Sequence, residues 1–312
     1  MRKKITVAGL NPSIDRTIRV PSLIQGGLNR VSGSVSAAAG KAMNAALALS
    51  ALGEEALYTG FLYQEGAAAF VRRLAENGVA ADCVMCPGAV RVNIKVMDEE
   101  RGEVTELNEK GTPVPESSMN ALREKLLSLA EDSACMVFTG SLPPGAGEDT
   151  YRKLMEEVSA RGCECVLDAD ARRLAEGIRA KPFLIKPNRH ELEELTGQRL
   201  AGLDDIRAAA EALVRGGIRH AAVSLGADGA LLSDAKGTVY APGLKLPVAS
   251  TVGAGDSMLA GMLSALLGGA GAAEALRLGM GCACARCVIP ADEPLTKEEI
   301  ERYADMVSVR AL

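Results

Sequence analysis

Short apolar runs recur along the chain with room for a helix between them: Ile5–Gly9, Cys135–Thr139, Cys165–Asp168, Phe183–Lys186 and Ala221–Leu225. Helix-period segments fall near Gly66–Asn77, Ser117–Ala130, Thr150–Arg161 and Asp204–Gly216. A strand that is apolar on both faces must be covered on both, and alternating strands and helices favour parallel pairing. The expected fold is α/β: a three-layer α/β/α core whose sheet is mostly parallel.

Two stretches break the rhythm. Ile14–Ser36 and Val90–Gly111 alternate with period two and carry turn signals, which predicts antiparallel strands in a small sheet projecting from the core. No repeat, low-complexity tract or long linker interrupts the chain. It is expected to be one domain over 1–312, with the small sheet formed by about residues 12–37 and 89–111.

The net charge is −5, no block of like charges occurs, and aromatics are few, with no Trp. That balance argues against nucleic acid or a membrane surface as the main partner. The N-terminal "MRKKITVAGLNPSID" has too short an apolar stretch for a secretory signal and reads as a buried first strand. Ser257–Ala273 is uncharged, but its Gly and Ser content suits a buried core helix better than a membrane span. A cytosolic protein is expected. The eight cysteines then favour neither disulfides nor zinc, since CxxC units are not paired and only His190 and His220 are available. Cys282, Cys284 and Cys287 lie in small-residue helical sequence, where Cys serves as a small buried apolar residue.

The chemistry gathers in four loops. "STVGAGDSMLAG" (Ser250–Gly261) places one carboxylate, Asp256, after two glycines at the start of an apolar helix. It could cap the helix. Alternatively it is a general base beside an anion hole made by the N–H groups of Gly253, Ala254 and Gly255. The GxxxxGK[ST] phosphate loop is absent. "SLGADGA" (Ser224–Ala230) ends a predicted strand in a Gly-rich turn suited to close approach of a nucleotide, or simply to joining strands. "IKPNRHELEEL" sets Lys186, Asn188 and Glu191 past a strand end, where Lys meets phosphate and Asn and Glu serve Mg²⁺ through water; a turn into a solvated helix is the plainer reading. "FTGSLPPG" (Phe138–Gly145) is again a strand followed by a small-residue turn. Loops after parallel strands converge on one edge, where open α/β sheets bind ligands.

With these residues in place the chain resembles the ribokinase-like carbohydrate kinases, in the branch that holds 1-phosphofructokinase, tagatose-6-phosphate kinase and the minor 6-phosphofructokinase. The resemblance spans nearly the full length. It rests on "LNPSID", "AGKAMNAA", "RVNIKV", "TELNEKG", "GSLPPG", "KPNRHELEELTG", "SLGADGA" and "STVGAGDSMLAG", in family order. It implies an α/β core with a β-sheet lid, ATP and Mg²⁺ as cofactors, and leaves a monovalent cation open. Asp256 becomes the catalytic base and Gly253, Ala254 and Gly255 the anion hole. Ser224, Gly226, Ala227 and Gly229 would border ATP, Lys186 its phosphates, and Asn188 and Glu191 the magnesium. Asp15, Gly40, Asn44, Asn93 and Ser141 would hold the acceptor sugar, and Lys41, Arg91 and Lys95 its phosphate. Arg30 would reach a neighbouring subunit's site, because the lids of this branch pair into homodimers.

Departures from the family pattern cluster on the acceptor side. Ala39 and Ala42 stand where the branch usually has glycine, Tyr63 and Gln64 likewise, and "LDADARRL" lacks the usual Ser-Gly. The expected reaction is phosphoryl transfer to a ketohexose phosphate, with fructose 1-phosphate first and tagatose 6-phosphate the alternative; no residue separates the two. Another sugar or a nucleoside ranks lower, because Lys41 and Arg91 would lack a partner. A non-catalytic sugar-phosphate-binding protein on the same fold is the rival reading; it would be expected to lose Asp256 or the glycine pair.

Overall fold

The computed structural model describes residues 3–290 and 293–312. The chain opens with β1 (Lys4–Gly9), β2 (Ser13–Val20), β3 (Gly33–Ala39), α1 (Lys41–Ala51), β4 (Ala56–Glu65), α2 (Ala67–Glu76) and β5 (Ala80–Ala89). It continues through β6 (Arg91–Asp98), β7 (Glu103–Asn108), α3 (Glu116–Asp132), β8 (Ser133–Thr139), α4 (Thr150–Ser159), β9 (Glu164–Asp168) and α5 (Ala171–Gly177). Next come β10 (Leu184–Ile185), α6 (Arg189–Thr196), α7 (Leu203–Arg215), β11 (His220–Ser224), β12 (Ala230–Asp234) and β13 (Gly237–Ala241). The last elements are α8 (Ala254–Leu267), α9 (Ala272–Val288), α10 (Lys297–Ala304) and β14 (Arg310–Ala311).

Among the described residues the strands form two sheets. The larger has the order β14-β13-β12-β11-β10-β9-β8-β1-β4-β5, parallel from β11 to β5 and antiparallel at the β12–β14 edge. Its central strands are buried on both faces, as near-continuous apolar sequence requires: Val7, Val137, Val166, Ile185 and Val223 are inaccessible or nearly so. One connected helix layer comprises α1, α8, α9 and α10, and another runs from α3 to α7. Each expected strand and helix is present, with ends unmoved or shifted by at most three residues. Phe183–Lys186 shrinks to a two-residue strand, because Pro182 and Pro187 flank it and neither has an N–H to offer the ladder. Strands β4, β5, β12 and β13 were not anticipated. Glycine inside "ALYTGFLYQE" and the small residues of "AADCVMCPGA" obscure their period.

The uncharged run is not one helix. It divides into most of α8, a turn at 268–271 and the start of α9. Every residue of α8 from Asp256 to Ala265 is buried, so this helix is apolar all round because it is covered all round. It packs on α1 and, closely, on α9. A Cβ at Gly261 would stand 2.7 Å from Cys282 Sγ and 2.8 Å from the Leu278 carbonyl oxygen, and only glycine allows that approach. Cys282 and Cys284 are therefore small packing residues, and burial pushes both thiols up in pKa. All eight cysteines are free. Among the described residues no three His, Cys, Asp or Glu side chains gather as a metal site, and no helix is long and apolar enough to cross a membrane.

The smaller sheet has the order β3-β2-β6-β7. Its central pair, β2 and β6, is parallel, which corrects the expectation of wholly antiparallel strands. The register puts Ser13, Asp15 and Thr17 level with Arg91, Asn93 and Lys95, and the last two level with Asn108 and Glu106. Side chains level across strands share a face, so one face of this lid is polar. Ile18, Val92, Ile94, Val96 and Leu107 take the other face, where they are half-buried or exposed.

Candidate active site

Strands β1, β8, β9, β10 and β11 end at one edge of the large sheet, and the lid's polar face closes over that edge. Two adjoining cavities lie between them, of about 480 and about 250 Å³. They share Gly40, Lys41, Arg91, Asn93 and Asn108. The larger also reaches Asp168, Lys186 and the N-terminus of α8; the smaller runs back to Asn11, Tyr58 and Ser141.

Asp256 enters this space from the first turn of α8 and is only 7 % exposed. Its carboxylate accepts a hydrogen bond from Asn44 Nδ2 on α1, at 2.8 Å. The recorded partner is thus on another helix, which disfavours the capping reading. Gly253 caps α8 in the left-handed region at φ 78°, and a Cβ there would sit 3.2 Å from Asn44 Nδ2. The glycine therefore serves both the turn and the approach of Asn44. Burial, and then the neighbouring Asp168 carboxylate, push the Asp256 pKa up to about 6; Lys41, the Asn44 bond and Lys186 hold it from rising further.

Two ammonium groups converge on Asp168 at the end of β9. Lys41 Nζ lies 3.5 Å and Lys186 Nζ 3.6 Å from its Oδ1. Burial works against the charge on Lys41, but the carboxylates of Asp168, Asp256 and Glu191 outweigh it and its pKa is raised. Lys186 is buried against the start of α8; its Nζ lies 3.3 Å from where a Gly255 Cβ would stand. That helix start, its lysine and its missing side chain form a cradle for an anion. Asp168 was not among the expected site residues. Its only sequence signal is its position at a strand's carboxyl end, which "LDADARRL" shows but does not distinguish from a turn.

Residues 2–292 match the pfkB family carbohydrate kinase profile. The chain belongs to the pfkB family of carbohydrate kinases. It is 37% identical over 279 residues to the 1-phosphofructokinase of Rhodobacter capsulatus, covering 89% of this chain and 88% of the relative. With the 1-phosphofructokinase of Escherichia coli K12 it shares 34% identity over 279 residues, 89% of either chain. Phosphofructokinase-2 from Escherichia coli, solved in complex with substrates and products, superposes with a TM-score of 0.92 at 27% identity, covering 97% of this chain and 99% of that one. The fold is therefore ribokinase-like, the chain is a sugar kinase, and the family implies use of ATP.

In this pfkB kinase most of the expected site residues line the two cavities. Asp15 is held by three neighbours: Lys95 Nζ at 3.0 Å from Oδ2, with Asn93 Nδ2 at 3.1 Å and Ser13 Oγ at 3.0 Å donating to Oδ1. Arg91 lines both cavities and donates to the Asn11 and Glu109 carbonyls at 3.3 and 2.9 Å; burial lowers its pKa, opposed by Asp15, Tyr63 and Glu109. Asn188 and Glu191 form a reciprocal cap on α6, with Glu191 N–H to Asn188 Oδ1 at 2.9 Å and Asn188 N–H to Glu191 Oε2 at 2.8 Å. Both also line the larger cavity, as does Ser224.

Gly226, Ala227, Gly229 and Ala254 line neither cavity. The first three form the turn between β11 and β12, where a Cβ on Gly229 would stand 2.0 Å from the Ala241 carbonyl oxygen. Arg30 is exposed in the loop from β2 to β3 and also lies off both cavities. Ser141 lines the smaller cavity and accepts from Asn11 Nδ2 at 3.1 Å. Asn11 was missed as a site residue; it is buried, bonds three groups around the cavity and leaves its Oδ1 without a protein partner.

Ala39 and Ala42 both contribute to the smaller cavity's wall. Tyr63 and Gln64 line neither cavity, although Tyr63 acts on Arg91, which lines both. The Tyr63 ring is buried and its hydroxyl donates to the Thr112 carbonyl at 3.1 Å, tying the core to the chain leaving the lid.

Proposed function

We propose that this kinase transfers the γ-phosphoryl group of ATP to a hydroxyl of a ketohexose monophosphate, with fructose 1-phosphate as the preferred acceptor. The observation that carries the reading is the buried Asp256, bonded by Asn44 at the mouth of α8 and facing a cavity that also holds Arg91 and Lys41. Asp256 takes the acceptor hydroxyl's proton as that oxygen attacks the γ-phosphorus and ADP leaves. The N–H groups of Gly253, Ala254 and Gly255 and the ammonium of Lys186 receive the negative charge that builds up. Arg91 and Lys41 hold the phosphate already on the sugar. Asp15, oriented by Lys95, Asn93 and Ser13, takes the sugar hydroxyls, with Gly40, Asn44, Asn93 and Ser141 around them. Ser224, Gly226, Ala227 and Gly229 border the nucleotide.

The donor set fits Mg²⁺ bound chiefly by phosphates and water. Glu191 spends one oxygen on its cap and lines the cavity, Asn188 lies beside it, and among the described residues no dense acidic cage surrounds them. Mg²⁺ held there would neutralise the phosphate oxygens. A monovalent cation is a further candidate cofactor, since phosphofructokinase-2 from Escherichia coli has been solved in complex with potassium. Eight free thiols suit a reducing, cytosolic setting. Tagatose 6-phosphate is the second acceptor, because the same cavity offers cations and hydroxyl acceptors to either ketohexose. The name shared by the relatives at 34–37% identity favours fructose 1-phosphate.

The decisive experiment measures ATP consumption over fructose 1-phosphate, tagatose 6-phosphate, fructose 6-phosphate, free hexoses and nucleosides. Turnover is expected with the phosphorylated ketohexoses, fructose 1-phosphate first. Preference for a free sugar or nucleoside overturns the reading.

The lid's outer face supports a homodimer. Ile18, Val92, Ile94 and Val96, half-buried, and Leu107, exposed, form an apolar face that a second copy of the lid would cover. Ile94→Arg is expected to convert a dimer to a monomer in sedimentation at micromolar concentration. A wild-type protein that sediments as a monomer there rules this assembly out.

A further inference from the structure

We propose that Glu106 selects the acceptor: its carboxylate takes hydroxyl hydrogens of the sugar and bars a phosphate group from its end of the cavity. The inference rests on the kinase reading above and adds which end of the acceptor lies where. Glu106 stands on β7 and lines the larger cavity, a space meant for anions, and this calls for an explanation. The lid register supplies one. Thr17, Lys95 and Glu106 form one row across β2, β6 and β7, and Asp15, Asn93 and Asn108 the row beside it.

Lys95 is the cation of that corner, and it is already engaged: its Nζ lies 3.0 Å from Asp15 Oδ2, with both side chains largely buried. Glu106 lies level with Lys95 on the next strand and is steadied by Asn108 Nδ2 at 3.3 Å. Asp15 pairs with that ammonium and Glu106 adds a second carboxylate level with it, so the corner carries one net negative charge. Such a corner accepts hydroxyl hydrogens and repels phosphate. The opposite end, at Arg91 and Lys41, offers cations beside the Ser141 hydroxyl. A phosphate therefore sits at the Arg91 end, and Lys95 is a positioning residue for Asp15 rather than a phosphate anchor.

The test compares Glu106→Gln and Glu106→Arg with wild type, measuring kcat and KM separately for fructose 1-phosphate, tagatose 6-phosphate and fructose 6-phosphate. Glu106→Gln keeps an acceptor oxygen and is expected to raise KM for the best acceptor about 3- to 10-fold. Glu106→Arg is expected to raise it about 30-fold or more, the scale for losing a charged hydrogen bond, with kcat changed much less. Its preference among the three phosphates should shift, because a cation now welcomes phosphate where a carboxylate refused it. KM for ATP should stay at the wild-type value, which confirms that the variants are folded. Unchanged acceptor KM values and an unchanged order of preference in both variants overturn the proposal. A wild type inactive on all three phosphates overturns the kinase reading instead, and the two failures are distinct.

Discussion

Asp256→Asn is expected to lower kcat by about 10²- to 10⁴-fold, the range for removing a positioned general base, while ATP and acceptor still bind. The amide oxygen can accept the Asn44 bond, so the geometry survives and only the proton acceptor is lost. The same variant should be more stable than wild type at pH 8. Burial and Asp168 raise the Asp256 pKa from 3.8 to about 6, so the folded state holds the proton more tightly than the unfolded chain. That favourable contribution is complete below pH 3.8 and is lost as pH rises through about 6. Above it, the ionised wild type carries a penalty of ~3 kcal/mol, two pKa units' worth, which asparagine avoids. Turnover has the opposite sign, because the base must be ionised, so kcat/KM of the wild type should rise across pH 5 to 7. Denaturant melts at pH 5 and pH 8 check the stability half: the gap between variant and wild type should widen at pH 8. Near-wild-type turnover by Asp256→Asn would falsify the catalytic assignment.

Arg91→Ala and Lys41→Ala should each weaken binding of the phosphorylated acceptor by roughly 2–4 kcal/mol, the scale for truncating one partner of a buried charged contact. Their secondary effects should differ. Arg91 bonds backbone carbonyls near the lid's root, so its loss should leave the acid limb of the pH profile in place. Lys41 acts on Asp168 and lowers the Asp256 pKa, so its loss should move that limb to higher pH. Isothermal titration with the sugar phosphate and a pH series of kcat/KM measure both. Normal sugar-phosphate affinity in both variants would remove the anchor roles and point to an unphosphorylated acceptor.

The legible part of this protein was the part written in local pattern. Apolar strands such as Ile5–Gly9 and Cys135–Thr139 announce themselves because burial on both faces leaves no polar interruption. The glycines before Asp256 announce the turn that opens α8, where Gly253 takes the left-handed conformation. The partner of Asp256 was harder to read: Asn44 is 212 residues distant, and only the packing of α1 on α8 makes them neighbours. Asp168 was illegible for a related reason. It draws its meaning from Lys41 and Lys186, which arrive from two other strand–helix junctions. The parallel pairing of β2 with β6 was also beyond reach, since alternation fixes which residues share a face but not which strand lies beside which.

Every crossing of the chain between the two sheets passes through the walls of the cavities. The chain enters the lid at Asn11–Ser13, leaves it at Ala39–Lys41, re-enters at Arg91 and departs after Asn108, and all of these positions line the acceptor space. In mechanical terms the two cavities occupy the axle of a joint, and with them the proposed acceptor. Asp168, Lys186, Ser224 and Gly255, on the far wall of the larger cavity, all ride on the core. A change in angle between the sheets would move the lid's side of the cavities through short arcs and leave these core groups where they are. The loop at 21–32, which joins β2 to β3 at the other end of the lid, would sweep the widest arc, so a small spread at the axle would be geared up into a large displacement at the lid's tip.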